Sequence, residues 1–119
     1  MPPPRLGGRG EELAAEFLRA RGWSILHRNF RAGRKEIDLV ARRGEVVAFI
    51  EVKARGGPEC GHPLEAITER KQREIETVAL SWIAAHGGPE DCYRFDAVGI
   101  LATPGSPPLI EHIEDAWGY

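Results

Sequence analysis

Apolar residues recur at helical spacing in two segments of the chain, residues 10–21 and residues 68–86. Side chains three and four positions apart share one face of a helix, so each segment predicts an amphipathic helix. Gly22 follows the first segment and Gly87 the second, as is usual at helix ends. We therefore expect both helices to bury one face. The apolar faces contain Leu13, Ala14, Phe17 and Leu18 in the first segment, and Ile75, Val78, Ala79, Trp82 and Ile83 in the second.

The remaining apolar runs are rich in Ile, Leu, Val and Phe and predict strands. Arg43-Gly44-Glu45 separates the second and third strands and has the length of a hairpin loop, in which Gly44 is free to take a positive φ. The order of one helix, three strands, one helix and one or two strands predicts an α/β domain. We expect residues 1–8 to be a flexible lead-in and residues 114–119 to be a tail. The strands are predicted over residues 23–30, 36–42, 46–54 and 94–101, with a last short one over residues 109–113.

A length of 119 residues, 42% of them hydrophobic, suits one core, and we expect a single domain over residues 1–119. The longest apolar run, residues 46–50, is far short of the roughly 20 residues that cross a bilayer, so no membrane partner is expected. The first residues lack the apolar stretch of a secretory signal, which favours a cytoplasmic location. Cys60 and Cys92 are expected to be free thiols, because a chain of this size needs no disulfide and neither belongs to a Cys-x-x-Cys pair. Cys60 and His62 lack the second ligand pair of a zinc site.

The net charge of −2 argues by itself against a nucleic-acid partner, but the charge is unevenly distributed. Residues 1–43 carry ten Lys and Arg against five acids, whereas residues 76–119 carry Arg94 alone against seven. Two basic groups are candidates for contact with a nucleic-acid backbone, and ordinary solvated surface charge is the alternative. The first group is Arg28, Arg31, Arg34, Lys35, Arg42 and Arg43, around two turns, and the second is Arg70, Lys71 and Arg73, at the start of the second helix.

Three charged residues, Asp38, Glu51 and Lys53, interrupt the apolar strands of the hairpin. A buried charge costs several kcal/mol unless it is paired or holds a cation. Strand alternation places Glu51 and Lys53 on the face of Val47 and Phe49. If the hairpin closes around residues 43–45, Asp38 lies opposite residue 49, 50 or 51, so that Asp38 and Glu51 are direct or diagonal neighbours.

This arrangement is suited to phosphodiester cleavage. Mg²⁺ is usually held by one or two carboxylates together with waters and a substrate phosphate, and Asp38, Glu51 and the carbonyl of Val52 are candidate ligands for Mg²⁺ or Mn²⁺. Lys53 is placed to position a water or to neutralise charge on the phosphate. The alternative is that Glu51 and Lys53 lie on an edge strand and pair with nearby surface charges. Glu12 is the natural further acid, with Glu36 and Gln72 as accessory candidates; a capping or packing role is the alternative for Gln72.

Several motifs together resemble the YraN-like family of small bacterial proteins over residues 8–100. They are Gly10-Glu11-Glu12-Leu13-Ala14-Ala15, Asn29-Phe30-Arg31, Glu36-Ile37-Asp38-Leu39-Val40, Phe49-Ile50-Glu51-Val52-Lys53 and Pro63-Leu64-Glu65-Ala66-Ile67. The resemblance implies a restriction-endonuclease-like fold with a mixed central sheet flanked by helices, similar in pattern to archaeal Holliday-junction resolvases. It also implies an active site at Glu12, Asp38, Glu51 and Lys53. Lys35 departs from the glycine that the family often has there.

These observations favour a metal-dependent endonuclease that acts on DNA, including branched or repair and recombination DNA. A nucleic-acid-binding module without turnover is the first alternative, and a protein-interaction subunit that pairs through its acidic C-terminal part is the second. A domain of this size covers little duplex, so a homodimer acting on two strands is a further expectation.

Overall fold

A computed structural model describes residues 6–55, 63–102 and 104–118 of the chain. Two helices, five strands and a short 3₁₀ helix follow one another in the predicted order. They are α1 (Leu6–Arg19), β1 (Ser24–Ala32), β2 (Lys35–Arg43), β3 (Val46–Arg55), the 3₁₀ helix (Pro63–Ala66), α2 (Glu69–His86), β4 (Cys92–Leu101) and β5 (Leu109–Trp117).

The five strands form one sheet in the order β1-β2-β3-β4-β5. β1 and β2, β2 and β3, and β4 and β5 pair antiparallel, whereas β3 and β4 are parallel. A parallel pair needs a crossover connection, and α2 lies in the connection between β3 and β4. The predicted mixed α/β sheet is confirmed.

One helix packs on each face of the sheet, and β3 supplies side chains to both cores. Val47 and Phe49 belong to the core beneath α2, together with Val78 and Trp82. Ala48 and Ile50 belong to the opposite core beneath α1, with Ala14 and Leu18. The alternation predicted for β3 is therefore confirmed. It places Glu51, two residues after Phe49, on the side of α2.

Two-residue loops close the β1–β2 and β2–β3 hairpins. Arg43 pairs with Val46 and leaves Gly44 and Glu45 in the loop, and Gly44 has a φ of 62°. Gly33 has the same sign of φ, 64°, in the loop between β1 and β2. A positive φ at the first loop residue suits a two-residue loop, because the twist of such a turn matches the twist of the two strands that it joins.

The last strand is longer than the sequence predicts, because β5 continues through residues 114–117 to Trp117. Trp117 is 8% exposed and stacks on Phe95 with ring centroids 5.4 Å apart. Two consecutive acids, Glu114 and Asp115, are typical of the end of a strand. In the structure the strand continues, because the β4–β5 pairing shifts its register here and Asp115 takes a φ of 50°. The bulge turns Asp115 so that its backbone N–H donates to the buried Asp96 at 3.0 Å. The predicted tail is therefore wrong for residues 114–117.

Three further predictions concern the first residues of the chain, the cysteines and membrane crossing. α1 begins at Leu6, so residues 6–8 of the predicted lead-in are helical. Cys92 is a free, exposed thiol, whereas Cys60 and His62 lie outside the described residues. Within the described ranges, no helix is long and apolar enough to cross a membrane.

Candidate functional site

The β2–β3 hairpin brings the two predicted metal-binding acids together. Its pairing runs from Arg43 and Val46 to Leu39 and Ile50, and the same register continued by one residue sets Asp38 opposite Glu51. The carboxylate of Asp38 accepts a hydrogen bond of 2.8 Å from the backbone N–H of Val52. Of the three partners that the sequence allows for Asp38, the two-residue loop therefore selects Glu51.

Glu51 is buried, with only 3% of its surface exposed. Its Oε1 lies 3.2 Å from the Nζ of Lys53 and 3.8 Å from the Nζ of Lys71. Its Oε2 is buried without a hydrogen-bond partner. A buried carboxylate oxygen normally has a donor or a metal ion beside it, so Oε2 is the unexplained polar atom of this site.

The two acids lie close enough to shift each other's pKa. Burial and then the charge of Asp38 raise the pKa of Glu51 to about 7, although Lys71 and Lys53 act to lower it. Burial also raises the pKa of Asp38, against the hydrogen bond from Val52, an interaction with the Glu51 side chain and the charges of the two lysines. A cation between the carboxylates would relieve this repulsion, as is common where like charges meet at functional sites.

On α1, the charge of Asp38 acts on Glu11, the neighbour of the predicted Glu12. Glu12 is exposed and forms an ion pair with Arg28. Glu11 is partly buried, and its pKa is raised first by burial and then by the charge of Asp38. Gly10 brings this end of the helix close to β3, because a Cβ built on it would lie 3.5 Å from the Cβ of Ala54.

The helical pattern of α1 contains the signal that separates the two glutamates. Glu11 is followed three and four positions later by the buried Ala14 and Ala15, whereas Glu12 is followed by the buried Ala15 and the exposed Glu16. Residues at these spacings share a face, so Glu11 borders the core and Glu12 faces solvent.

Asn29 is a neighbour of the acids that the sequence does not single out as a site residue. Arg28 pairs with Leu39 and Phe30 with Ile37, so the register sets Asn29 opposite Asp38. Asn29 has a φ of 53°, a left-handed conformation that asparagine tolerates better than most residues. An interaction with its side chain partly offsets the raised pKa of Glu11. Backbone strain of this kind concentrates at functional sites.

The start of α2 positions Lys71 and Gln72. Thr68 caps the helix, since its Oγ1 accepts from the backbone N–H of Lys71 at 3.2 Å. Lys71 therefore lies in the first turn, with its amine near Glu51. Gln72 donates from Nε2 to the carbonyl of Ile67 at 3.2 Å, which is the packing role. The other accessory candidate, Glu36, forms an ion pair with Arg31 at 3.2 Å.

The six basic residues around the two turns do not form one patch. Lys35 and Arg43 begin and end β2, which at about 3.3 Å per residue separates them by roughly 26 Å. Arg42 binds Asp91 at 2.8 Å, and Arg43 lies over the ring of Trp23, at the end of the hairpin away from the acids. The length of β2 therefore divides the residues around the two turns between the two ends of the hairpin. The residues at the acid end are Arg28, which pairs with Leu39, and Arg31, Arg34 and Lys35, together with Arg70, Lys71 and Arg73 of α2.

The acid pair by itself offers two carboxylates. Among the described residues, no group of three or more His, Cys, Asp and Glu side chains is arranged to hold a metal ion. Two carboxylates are nevertheless the usual protein share of a Mg²⁺ site that also binds waters and a phosphate. Oxygen donors alone, with one oxygen unpartnered, fit a hard divalent cation.

A mixed five-stranded sheet with a helix on each face, and an acid pair in its central hairpin, is compatible with the restriction-endonuclease-like fold. Within that class the chain belongs to the family described as "Uncharacterised protein family UPF0102", whose model matches residues 10–100. The resemblance to the YraN-like family is thereby confirmed.

Relatives in this family match over most of their length. A UPF0102 protein of Nocardia farcinica is 48% identical over 109 residues, which cover 92% of this chain and 86% of the relative. A UPF0102 protein of Chlorobium limicola is 47% identical over 120 residues, covering 97% and 93%. Among solved structures, Pyrococcus furiosus SfsA in complex with Ca²⁺ matches with a TM-score of 0.35 and 12% identity, over 92% of this chain and 63% of that one. A likeness of that size carries no argument about function, which must come from the site itself.

Proposed function

We propose that this protein is a Mg²⁺-dependent nuclease that hydrolyses DNA phosphodiester bonds at the Asp38–Glu51 pair. The observation that carries the proposal is the buried carboxylate of Glu51, which has one oxygen unpartnered and the acid Asp38 beside it. An acid that serves the fold alone would have both oxygens satisfied, as the buried Asp96 has through Arg94 and His112.

The donor atoms suit Mg²⁺ or Mn²⁺. Asp38 and Glu51 supply carboxylate oxygens, the carbonyl of Val52 is the further ligand that we propose, and Glu11 replaces Glu12 as the acid from α1. A divalent cation held there would lower the pKa of a coordinated water and offset negative charge on the phosphate.

Lys53 and Lys71 have separate parts in the proposal. In the free protein both amines lie near Oε1 of Glu51 and partly balance its charge. Lys53 follows Glu51 on the same strand face, so its amine can turn from Glu51 to an oxygen of the bound phosphate. There it stabilises the charge that develops as water attacks phosphorus and the bond to the leaving oxygen breaks. Lys71 approaches from α2 and contacts the phosphate from the other side.

The basic residues at the acid end support a nucleic-acid substrate. Arg31, Arg34 and Lys35 surround the β1–β2 loop, and Arg70 and Arg73 extend the same surface along α2. Lys and Arg side chains supply most of the contacts that position a protein on a nucleic-acid backbone. Branched DNA of repair and recombination is the substrate class that we propose to test first.

Cleavage of labelled linear, flapped and four-way-junction DNA in Mg²⁺ or Mn²⁺ tests the proposal. We expect Asp38→Asn and Glu51→Gln to reduce the single-turnover rate by about 100-fold or more. The matched control is Glu45→Gln, the same change at the far loop of the same hairpin, which should leave the rate unchanged. Cleavage that persists in both site variants would overturn the assignment. Salt-dependent DNA binding without cleavage in any metal would favour a binding module of the same fold.

A further inference from the structure

One carboxylate joins two elements beside the acid pair. The Oε1 of Glu74, on α2, lies 2.9 Å from the Nζ of Lys35 at the start of β2. The same atom lies 3.5 Å from the Nε of Arg70, one turn earlier in α2. Glu74 therefore pairs with one basic side chain of the hairpin, Lys35, and one of its own helix, Arg70.

This group of three faces solvent. The Glu74 side chain is 23% exposed, that of Lys35 49% and that of Arg70 85%. The hydrogen bond from Lys35 lowers the pKa of Glu74, against a smaller opposing effect of burial, so the carboxylate stays ionised. Exposed ion pairs of this kind are weak and exchange readily for another anion.

Lys71 connects the group to the proposed catalytic acids. Its amine lies 3.8 Å from Oε1 of Glu51, and its charge acts on the pKa of both Glu51 and Glu74. The cations around Glu74 are therefore the next ones along the surface after the lysines of the acid pair. For a nucleic-acid strand with one phosphate at Asp38 and Glu51, Lys35 and Arg70 are basic side chains available to a neighbouring phosphate.

We propose that Glu74 occupies, in the DNA-free protein, the place of a backbone phosphate that flanks the scissile one. On binding, that phosphate displaces the carboxylate and takes Lys35 and Arg70 as its partners. A carboxylate and a phosphate are both oxyanions that accept from Lys and Arg, which makes the exchange chemically conservative. Glu74 thus weakens DNA binding, since its ion pairs must open first. This inference rests on the proposed function.

Affinity for labelled duplex and junction DNA, measured by fluorescence anisotropy in EDTA so that no cleavage occurs, tests the exchange. We expect Glu74→Gln to tighten binding by about 3- to 10-fold at low salt. The matched control is Glu76→Gln, which removes the same charge from the same helix but leaves the ion pairs of Glu74 with Lys35 and Arg70 in place. It should change the affinity by less than about 2-fold. Equal effects of the two variants, or weaker binding by Glu74→Gln, would overturn the proposal.

A double-mutant cycle separates displacement from simple charge removal. Lys35→Gln removes a phosphate contact, which weakens DNA binding. When Glu74 is present, the same substitution also removes the Lys35–Glu74 ion pair that DNA must break, which partly offsets the loss. We therefore expect Lys35→Gln to weaken binding more in the Glu74→Gln background than alone, and additive losses would contradict the exchange. Thermal unfolding of each variant confirms that it is folded. If the wild type binds and cleaves DNA but the cycle shows no coupling, only the proposed role of Glu74 is rejected. If the wild type binds no DNA, the proposed function is rejected as well.

Discussion

Glu51 occupies a strand position between Ile50 and Val52 where an apolar residue would pack without cost. Its buried carboxylate has a raised pKa, one oxygen without a partner and a second acid opposite it. Each of these features lowers the stability of the folded chain in the absence of a bound cation. A local conflict of this kind is expected at a site that serves function rather than folding.

The pH dependence of stability should carry the signature of Glu51. Its pKa is 4.5 when unperturbed and about 7 in the folded chain, so between these values the folded state holds a proton that the unfolded state has lost. Stability therefore falls as the pH rises from 4.5 through 7, by on the order of 3 kcal/mol from this group. We expect Glu51→Gln to be increasingly more stable than the wild type over that range in EDTA, as measured by chemical denaturation.

The same experiment with Mg²⁺ supplies the control. Above pH 8 the ion should stabilise the wild type, because it binds the ionised pair, and should have little effect on Glu51→Gln. A wild-type curve parallel to that of the variant from pH 4.5 to 8 would contradict the raised pKa.

The two adjacent glutamates of α1 allow a second comparison at single-residue resolution. We expect Glu11→Gln to reduce metal-dependent cleavage by about 10-fold or more, because Glu11 is the one that faces Asp38. Glu12→Gln removes only an exposed ion pair with Arg28 and should change the rate by less than about 2-fold. The reverse order of effects in the cleavage assay would restore Glu12 as the functional acid.

At the scale of elements, the β2–β3 hairpin was predictable because its signals are local. Alternation placed Glu51 on the face of Phe49, and Gly44 marked a short loop, so the approach of Asp38 to Glu51 followed from the sequence. The register could not be decided, since loops of different length set Asp38 opposite different residues. The observed two-residue loop resolves it.

Features that depend on packing between elements were not predictable in the same way. The orientation of α1, which brings Glu11 toward Asp38, follows from contact between Gly10 and the end of β3. The ion pair of Glu74 with Lys35 joins residues 39 positions apart. The strained φ of Asn29 has no signal in composition or spacing. The end of β5 was missed because a bulge at Asp115 hides the alternation.

The end of α2 gives a test of how tightly this element is built. A Cβ on Gly87 would lie 2.3 Å from the Oη of Tyr93 and 2.7 Å from the backbone carbonyl of Ile83, and backbone cannot move aside cheaply. We expect Gly87→Ala to cost about 1–3 kcal/mol in urea unfolding. Gly88→Ala is the control, since its Cβ would approach only Asp91, at 3.6 Å, and should cost less than about 0.5 kcal/mol. Equal stabilities of the two variants would show that this end adapts.

At the scale of the whole molecule, charge is organised by position along the sheet. The net charge of −2 combines a basic surface around the acid pair with an acidic C-terminal part of the chain. Arg42 and Arg43 lie at the far end, where they pair with Asp91 and Glu114. The candidate DNA surface is therefore smaller than the sequence suggests and is confined to the end of the sheet that carries the acids.

A pair of arginine variants tests that confinement. Among the described residues, Arg34 is exposed in the β1–β2 loop without an ion-pair partner. We expect Arg34→Gln to reduce the slope of log affinity against log salt by about 0.9, the effect of one phosphate contact. Arg43→Gln, at the other loop, should leave the slope unchanged. Equal losses in salt-titrated anisotropy would indicate that DNA covers both ends.

The central claim is that Asp38 and Glu51 together hold a divalent cation. Anomalous diffraction from a crystal soaked in Mn²⁺ above pH 8, which is above the pKa of about 7 of Glu51, tests it most directly. The predicted result is a manganese peak between the two side chains, in contact with the buried Oε2 of Glu51, that is lost in Glu51→Gln. A crystal without manganese at that position, with the amines of Lys53 and Lys71 satisfying both acids, would contradict the claim.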